Sequence, residues 1–218
     1  MSDPRSAPPA RASDALGQVY AASGADELNA AYAGWAAGYD RDTLASGYCL
    51  PFQALAWVSR HVAPDAGPVL DAGCGTGLSG PYLQALGYGW IEGLDFSQAM
   101  LDIAAGRGAY RELKRATLGE TLPWPDGHFA AFLCTGVFTE GHAPASGLVE
   151  LARITRPGGI GVFTIRDTIF DSAGFAGVID ELSARGVWRK VETSPPFRAF
   201  ALDEPDVLVT AHVFRMRG

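Results

Sequence analysis

Two carboxylates and three glycines form the constellation in this sequence whose types and spacing best fit ligand chemistry. Asp71 stands two residues before Gly73, Gly75 and Gly77 in Val69-Leu-Asp-Ala-Gly-Cys-Gly-Thr-Gly-Leu78, and Asp95 closes the run Ile91-Glu-Gly-Leu-Asp-Phe96. Glycines at this spacing let backbone approach a ligand and adopt positive φ without a Cβ penalty. Asp95 lies 18 residues beyond Gly77, close to the roughly 20-residue offset at which a carboxylate accepts from ribose hydroxyls. Asp71 is the odd member, because a carboxylate beside the loop repels a pyrophosphate. It suits a cofactor with an ammonium or sulfonium group, which points away from NAD and towards S-adenosylmethionine.

These residues need a strand, a tight turn, a helix and a second strand to hold them. The hydrophobic pattern supplies that unit and repeats it. Strands are expected over 69–71, 90–95, 113–117, 129–135 and 159–166, with helices over 78–86, 97–106, 145–155 and 173–185. Such alternation predicts a largely parallel sheet with helices on both faces. Ahead of it, segments 13–22, 26–39 and 51–62 read as helices, and Asp65-Ala-Gly-Pro68 breaks into the first strand. After it, 187–193 and 206–216 read as two strands with no helix between them, so they should pair antiparallel.

Tyr39-Asp-Arg-Asp42, the glycine loop, Gly93-Leu-Asp-Phe-Ser-Gln-Ala-Met-Leu101, Thr117-Leu-Gly119, Leu122-Pro123 and Arg156-Pro-Gly-Gly159 together resemble the class I S-adenosylmethionine-dependent methyltransferases. More narrowly, the chain is similar to the methyltransferase-like proteins first described from the Williams-Beuren chromosomal region and their bacterial relatives, from about Tyr32 to the final strand. The resemblance implies an α/β fold: a Rossmann-like three-layer sandwich whose seven-stranded, mostly parallel sheet ends in an antiparallel C-terminal hairpin. It also implies an N-terminal helical cap. The expected organisation is a disordered tail (1–12), a cap (13–64) and a methyltransferase domain (65–218), all within one structural domain.

The resemblance also assigns roles. Amides at Gly73, Gly75 and Gly77 would bind the methionine carboxylate of S-adenosylmethionine, and Asp71 would face its α-ammonium. Asp95 would take the ribose hydroxyls. Phe96 and Met100 would pack on the adenine, with Leu118 and Gly119 at its edge. Thr135 and Gly136 would close the pocket beside the sulfonium, and Tyr39 would reach the methionine end. Met100 also reads as ordinary helix core. Tyr32, Trp35 and Tyr39, at i, i+3 and i+7, share one helix face and read either as core or as a lid. The product would be S-adenosylhomocysteine.

Methyl transfer to an activated sulfonium chiefly needs alignment and exclusion of water. A base is needed only for an acceptor that is protonated at working pH. His142 is the candidate base by its ordinary titration range, and Glu140 could orient a cation or an amine; each also reads as an exposed loop residue. Arg166 reads as a carboxylate binder or as a surface ion pair.

Apolar residues make up 48% and charged residues 19%, no apolar run approaches a membrane span, and the net charge is -7. The expectations are a globular cytoplasmic protein, monomer or homodimer, without membrane or nucleic-acid partners, acting on a small molecule. Arg107, Arg111, Lys114 and Arg115 read as a solvated edge, although they are the best candidate phosphate patch. Cys49, Cys74 and Cys134 have no metal-like spacing. Three other readings remain: a nicotinamide oxidoreductase, a protein methyltransferase, and a non-catalytic S-adenosylmethionine- or S-adenosylhomocysteine-binding regulator. Tyr110-Arg-Glu-Leu-Lys114 has the Tyr-x-x-x-Lys spacing of short-chain dehydrogenases, but it follows Asp95 by only 15 residues, too early to reach a nicotinamide across the sheet.

Overall fold

The structure is a computed structural model and describes residues 12–218. The tail expected over 1–12 therefore lies outside the described residues, except Ala12. Three helices come first: α1 (Ala12–Ala21), α2 (Ala25–Ala45) and α3 (Leu50–His61). The alternating part follows as β1 (Val69–Ala72), α4 (Gly80–Ala85), β2 (Ile91–Asp95), α5 (Gln98–Gly106), β3 (Glu112–Arg115), β4 (Phe129–Phe138), α6 (Gly147–Arg153) and β5 (Thr155–Arg166). After a 3-10 turn at Asp167–Ile169 come α7 (Phe175–Ala184), β6 (Trp188–Thr193), β7 (Phe197–Arg198) and β8 (Leu208–Met216). The sheet order is β3-β2-β1-β4-β5-β8-β6, with β7 also on β8. Pairing is parallel through β5 and antiparallel wherever β8 takes part.

Period-two alternation sorts the strands' side chains into two layers. Val69, Ala131, Leu133, Ile160 and Val162 face one layer, with Ala54, Leu55 and Val58 of α3 and Leu83 of α4. Leu70, Ala72, Phe132, Cys134 and Phe163 face the other, with Leu148 and Leu151 of α6 and Phe175, Ile179 and Leu182 of α7. A third cluster joins α1 and α2 to Tyr48, Leu50, Phe200 and Val209. β1 lies between β2 and β4. The strand order therefore reverses beside it, and open α/β sheets bind ligands in the crevice outside the carboxyl ends at such a point.

Several boundaries differ from the sequence reading. β7 is an eighth, two-residue strand, lying between the two segments expected to pair antiparallel. α2 runs on to Ala45, so Tyr39-Asp-Arg-Asp42 is helical rather than an exit from a helix. β4 continues to Phe138 through a register shift, which leaves Thr135 and Gly136 inside an irregular strand. Arg156-Pro-Gly-Gly159 is drawn into β5 as an irregularity opposite Ala130, instead of preceding that strand as a turn. Among the described residues no helix is long and apolar enough to cross a membrane.

Candidate active site

The glycine loop is folded back onto β2. The Gly73 and Cys74 amides both donate to the Leu94 carbonyl, at 2.8 and 2.9 Å. Gly73 has φ +72, and a Cβ there would meet Val137 Cγ2 at 2.3 Å. Gly75 has φ +54, and among the described residues nothing lies within 4 Å of an added Cβ, so its Cα face borders open space. Its amide donates to Asp95 Oδ2 at 2.9 Å, and the Ser97 amide donates to Asp95 Oδ1 at 2.9 Å. Asp95 thus pins the loop to the start of α5 and keeps further lone pairs on both oxygens. Burial raises its pKa despite these amides.

Asp71 is more deeply enclosed. The Tyr110 hydroxyl donates to its Oδ2 at 2.7 Å. Burial first, and then the nearby Asp95, push its pKa up to about 7 against the hydrogen bonds from Tyr110 and Ser79. Burial also raises the Cys74 and Cys134 thiols.

Above these groups, at the carboxyl ends of β1, β2 and β4, lies a cavity of about 300 Å³, at the lower end of the usual size for small-molecule sites. Asp71, Gly73, Gly75, Asp95, Phe96, Met100, Leu118, Thr135, Gly136, Tyr39 and His142 all line it. Three expected site residues do not. Gly77 packs under the Tyr110 ring and beside Ala104, at 2.8 and 3.0 Å from an added Cβ. Gly119 is covered by Pro144, whose Cγ lies 2.6 Å from an added Cβ. Glu140 turns its carboxylate away to Arg166 Nη1 at 2.8 Å and to the Thr139 and Thr168 hydroxyls.

The sequence reading missed Cys74, Thr76, Ser79, Tyr48, Thr117, Val137, Ala143 and Pro144, which also line the cavity. Thr76 and Cys74 were signalled by lying inside the loop. Tyr48, Val137 and Pro144 reach the cavity through tertiary packing and carry no local signal.

The model of the family described as Methyltransferase domain matches residues 70–163. Human methyltransferase-like protein 27 is 33% identical over 170 residues, 75% of this chain and 69% of that protein. The chain belongs to that family, the class I S-adenosylmethionine-dependent methyltransferases. An 18S rRNA (guanine-N(7))-methyltransferase of Bos taurus is 46% identical over 63 residues, 29% of this chain and only 22% of that protein. Among solved structures, the complex between the Haloferax volcanii Trm112 methyltransferase activator and the putative methyltransferase aligns with a TM-score of 0.67. That match covers 86% of this chain and 98% of that chain at 18% identity, a likeness of fold.

In this methyltransferase the cap divides the aromatic stripe of α2. Tyr32 and Tyr39 border the large cavity. Trp35 is buried and donates from Nε1 to Asp42 Oδ2 at 3.0 Å, beside an adjoining cavity of about 50 Å³. Asp40, on the next turn, accepts from the Thr76 hydroxyl and pairs with Arg107 of the segment after α5. Arg107 in turn donates to the Thr76 carbonyl. The cap is thereby clasped to the glycine loop.

His142 is held from both sides. Its Nδ1 lies 2.7 Å from the Glu140 carbonyl and its Nε2 lies 2.9 Å from the Tyr32 hydroxyl. Burial lowers its pKa. Glu140 is an ion-pair partner and not a neighbour of the cavity. Arg166, read as a carboxylate binder or a surface pair, forms the pair. The basic residues at 107–115 are also engaged: Arg111 lies over the Trp90 ring, Lys114 over the Trp124 ring, and Arg115 Nε donates to the Phe96 carbonyl.

Proposed function

We propose that the large cavity holds S-adenosylmethionine, with Asp71 at the α-ammonium and the amides of the loop at the carboxylate. Asp95 would take the ribose hydroxyls, and Phe96, Met100 and Leu118 would surround the adenine. Thr135 and Gly136 would lie beside the sulfonium, and Tyr39 would close the methionine end. The observation that carries this reading is electrostatic. Two buried carboxylates border the cavity, and among the described residues no lysine or arginine lines it. Such a site repels a dinucleotide pyrophosphate and favours a ligand with positive charge. Gly75 adds open space where backbone can approach a ligand. Bound there, S-adenosylmethionine would supply an electrophilic methyl group with a neutral thioether as leaving group.

The residues around it align and enclose. The acceptor we favour is a small molecule with an O, N or C nucleophile, entering beside Tyr32, Tyr48 and His142, which border both cavities. His142, acting through the Tyr32 hydroxyl held at its Nε2, is the base for an acceptor that must lose a proton. The net charge of -7 and the engagement of Arg107, Arg111, Lys114 and Arg115 within the chain favour a small acceptor over a nucleic acid. A protein acceptor is the competing reading. We take 13–64 as a cap on a methyltransferase domain at 65–218, in a cytoplasmic monomer or homodimer.

The test is calorimetric titration of ligand-stripped protein with S-adenosylmethionine, S-adenosylhomocysteine and NADH. A panel of small phenols, acids and amines then follows with radiolabelled methyl donor. Micromolar binding of the two adenosyl compounds and none of NADH is expected. Binding of NADH alone would overturn the cofactor assignment, and labelling of protein but of no small molecule would move the acceptor class.

A further inference from the structure

Tyr110 does not border the cavity, yet three separate elements make room for it. An added Cβ would meet its Cε2 at 2.8 Å from Gly77 in the loop and at 2.7 Å from Gly80 in α4, and its Cδ1 at 3.1 Å from Gly93 in β2. The ring slots beneath the glycine loop, and its hydroxyl emerges against Asp71 Oδ2 at 2.7 Å. The Asp71 carboxylate, fully buried, borders the cavity from the other side.

The titratable groups facing Asp71 are Asp95 of β2, Cys74 of the loop, Cys134 of β4 and Tyr110 itself, with the Ser79 hydroxyl also bonded to it. None of them brings positive charge. A buried carboxylate in such surroundings holds its proton unless donors favour the ionised form, and a neutral acid attracts an ammonium far more weakly than a carboxylate does.

We propose that Tyr110 is a positioning residue for the ammonium end of the cofactor: its hydroxyl fixes the Asp71 carboxylate at the cavity wall and stabilises the ionised form that the ligand's charge requires. This rests on the assignment of Asp71 to the α-ammonium made above. In this arrangement any proton on Asp71 leaves for solvent as the cationic ligand enters, so binding is linked to proton release at low pH and the link fades as pH rises past about 7. Gly77 then serves the site indirectly, by leaving space for the ring.

The experiment compares wild type, Tyr110→Phe and Asp71→Asn by calorimetry across pH 5.5–9. The probes are S-adenosylmethionine, S-adenosylhomocysteine and 5′-methylthioadenosine, which has the adenosine but no ammonium. Wild-type affinity for the first two should rise as Asp71 ionises, around pH 7. It should fall again where the ligand's own amine loses its proton. Tyr110→Phe keeps the ring in place beneath the glycines. It should bind these two about three- to tenfold more weakly at pH 7 and move only the rising limb to higher pH. Methylthioadenosine should bind both proteins alike.

A Tyr110→Phe profile that superimposes on wild type would overturn the proposal, as would equal weakening of all three probes, which marks a merely structural role. Asp71→Asn separates the two readings. If it binds as wild type does, or if wild type binds none of the probes, the cofactor assignment falls and this proposal with it. If it loses affinity while Tyr110→Phe does not, only the role of Tyr110 falls.

Discussion

The Tyr32 hydroxyl donates its proton to Nε2 of His142. The direction follows from the other side of the ring, because Nδ1 faces the Glu140 carbonyl at 2.7 Å, a group that only accepts. Nδ1 therefore carries the hydrogen of the neutral ring, and Nε2 offers a lone pair to Tyr32 at 2.9 Å. Burial holds the ring neutral by lowering its pKa. In long-range ¹⁵N–¹H spectra at pH 7–8, His142 should show a protonated Nδ1 and a bare Nε2. Tyr32→Phe removes a donor to the neutral form, so its titration midpoint should rise. A protonated Nε2 in wild type would reverse the whole chain of donors.

His212 gives the fold a measurable pH dependence. It stacks between Phe163 and Phe170, at 5.4 and 5.7 Å between ring centroids, and neither ring nitrogen has a hydrogen-bond partner among the described residues. Burial, with Lys190 nearby, lowers its pKa to about 4. The unfolded chain binds this proton near pH 6.5, so its contribution is complete above that pH and is lost as pH falls from 6.5 towards 4. That span is worth about 3 kcal/mol. Urea unfolding from pH 7 to 4 should show a decline that His212→Phe reduces by that amount; parallel curves for the two proteins would contradict it.

Gly73 and Gly75 should fail in different ways when changed to alanine. At Gly75 the added methyl meets only the left-handed backbone penalty, about 1–2 kcal/mol, and projects beside the cavity. At Gly73 it also strikes Val137 on β4, for a total of about 2–5 kcal/mol. Thermal unfolding should rank Gly73→Ala well below Gly75→Ala, and Gly75→Ala should still lose most of its affinity for S-adenosylmethionine. Full affinity in Gly75→Ala would take the loop out of the binding surface.

The clasp between Asp40, Thr76 and Arg107 ties α2 to the loop beneath it. Asp40→Ala removes both anchors, so α2 should open locally and be cut several-fold faster by a limiting protease. Saturating S-adenosylmethionine should slow cleavage of wild type more than of the variant. Equal cleavage of the two proteins without ligand would show that packing, and not the clasp, holds the cap.

Local placement was legible where short-range backbone geometry decides the outcome. That Gly73, Gly75, Asp71 and Asp95 gather at one cavity could be read from spacing, because a strand-turn-helix unit fixes them relative to one another. Gly77 looked equivalent to its neighbours, yet its partner is Tyr110, 33 positions away and visible only after folding. The same tyrosine carried a dehydrogenase spacing with Lys114. The fold sends its hydroxyl to Asp71 and the lysine over Trp124. Glu140 and His142 lie two apart in sequence and face different neighbours, because the chain turns between them at Gly141 with φ +73. β7 escaped notice because two residues carry no periodicity; β8 provides its pairing.

The insertion of β8 between β5 and β6 has a consequence for biosynthesis. Of the described strands of the sheet, β8 (Leu208–Met216) is made after all the others, and both of its neighbours wait for it. Until it emerges, a nascent chain presents β5 with a bare edge and β6 with no strand to join, the kind of surface that recruits chaperones or other nascent chains. Closure of this sheet therefore waits for β8, and without that strand β5 and β6 would stand as two separate edges.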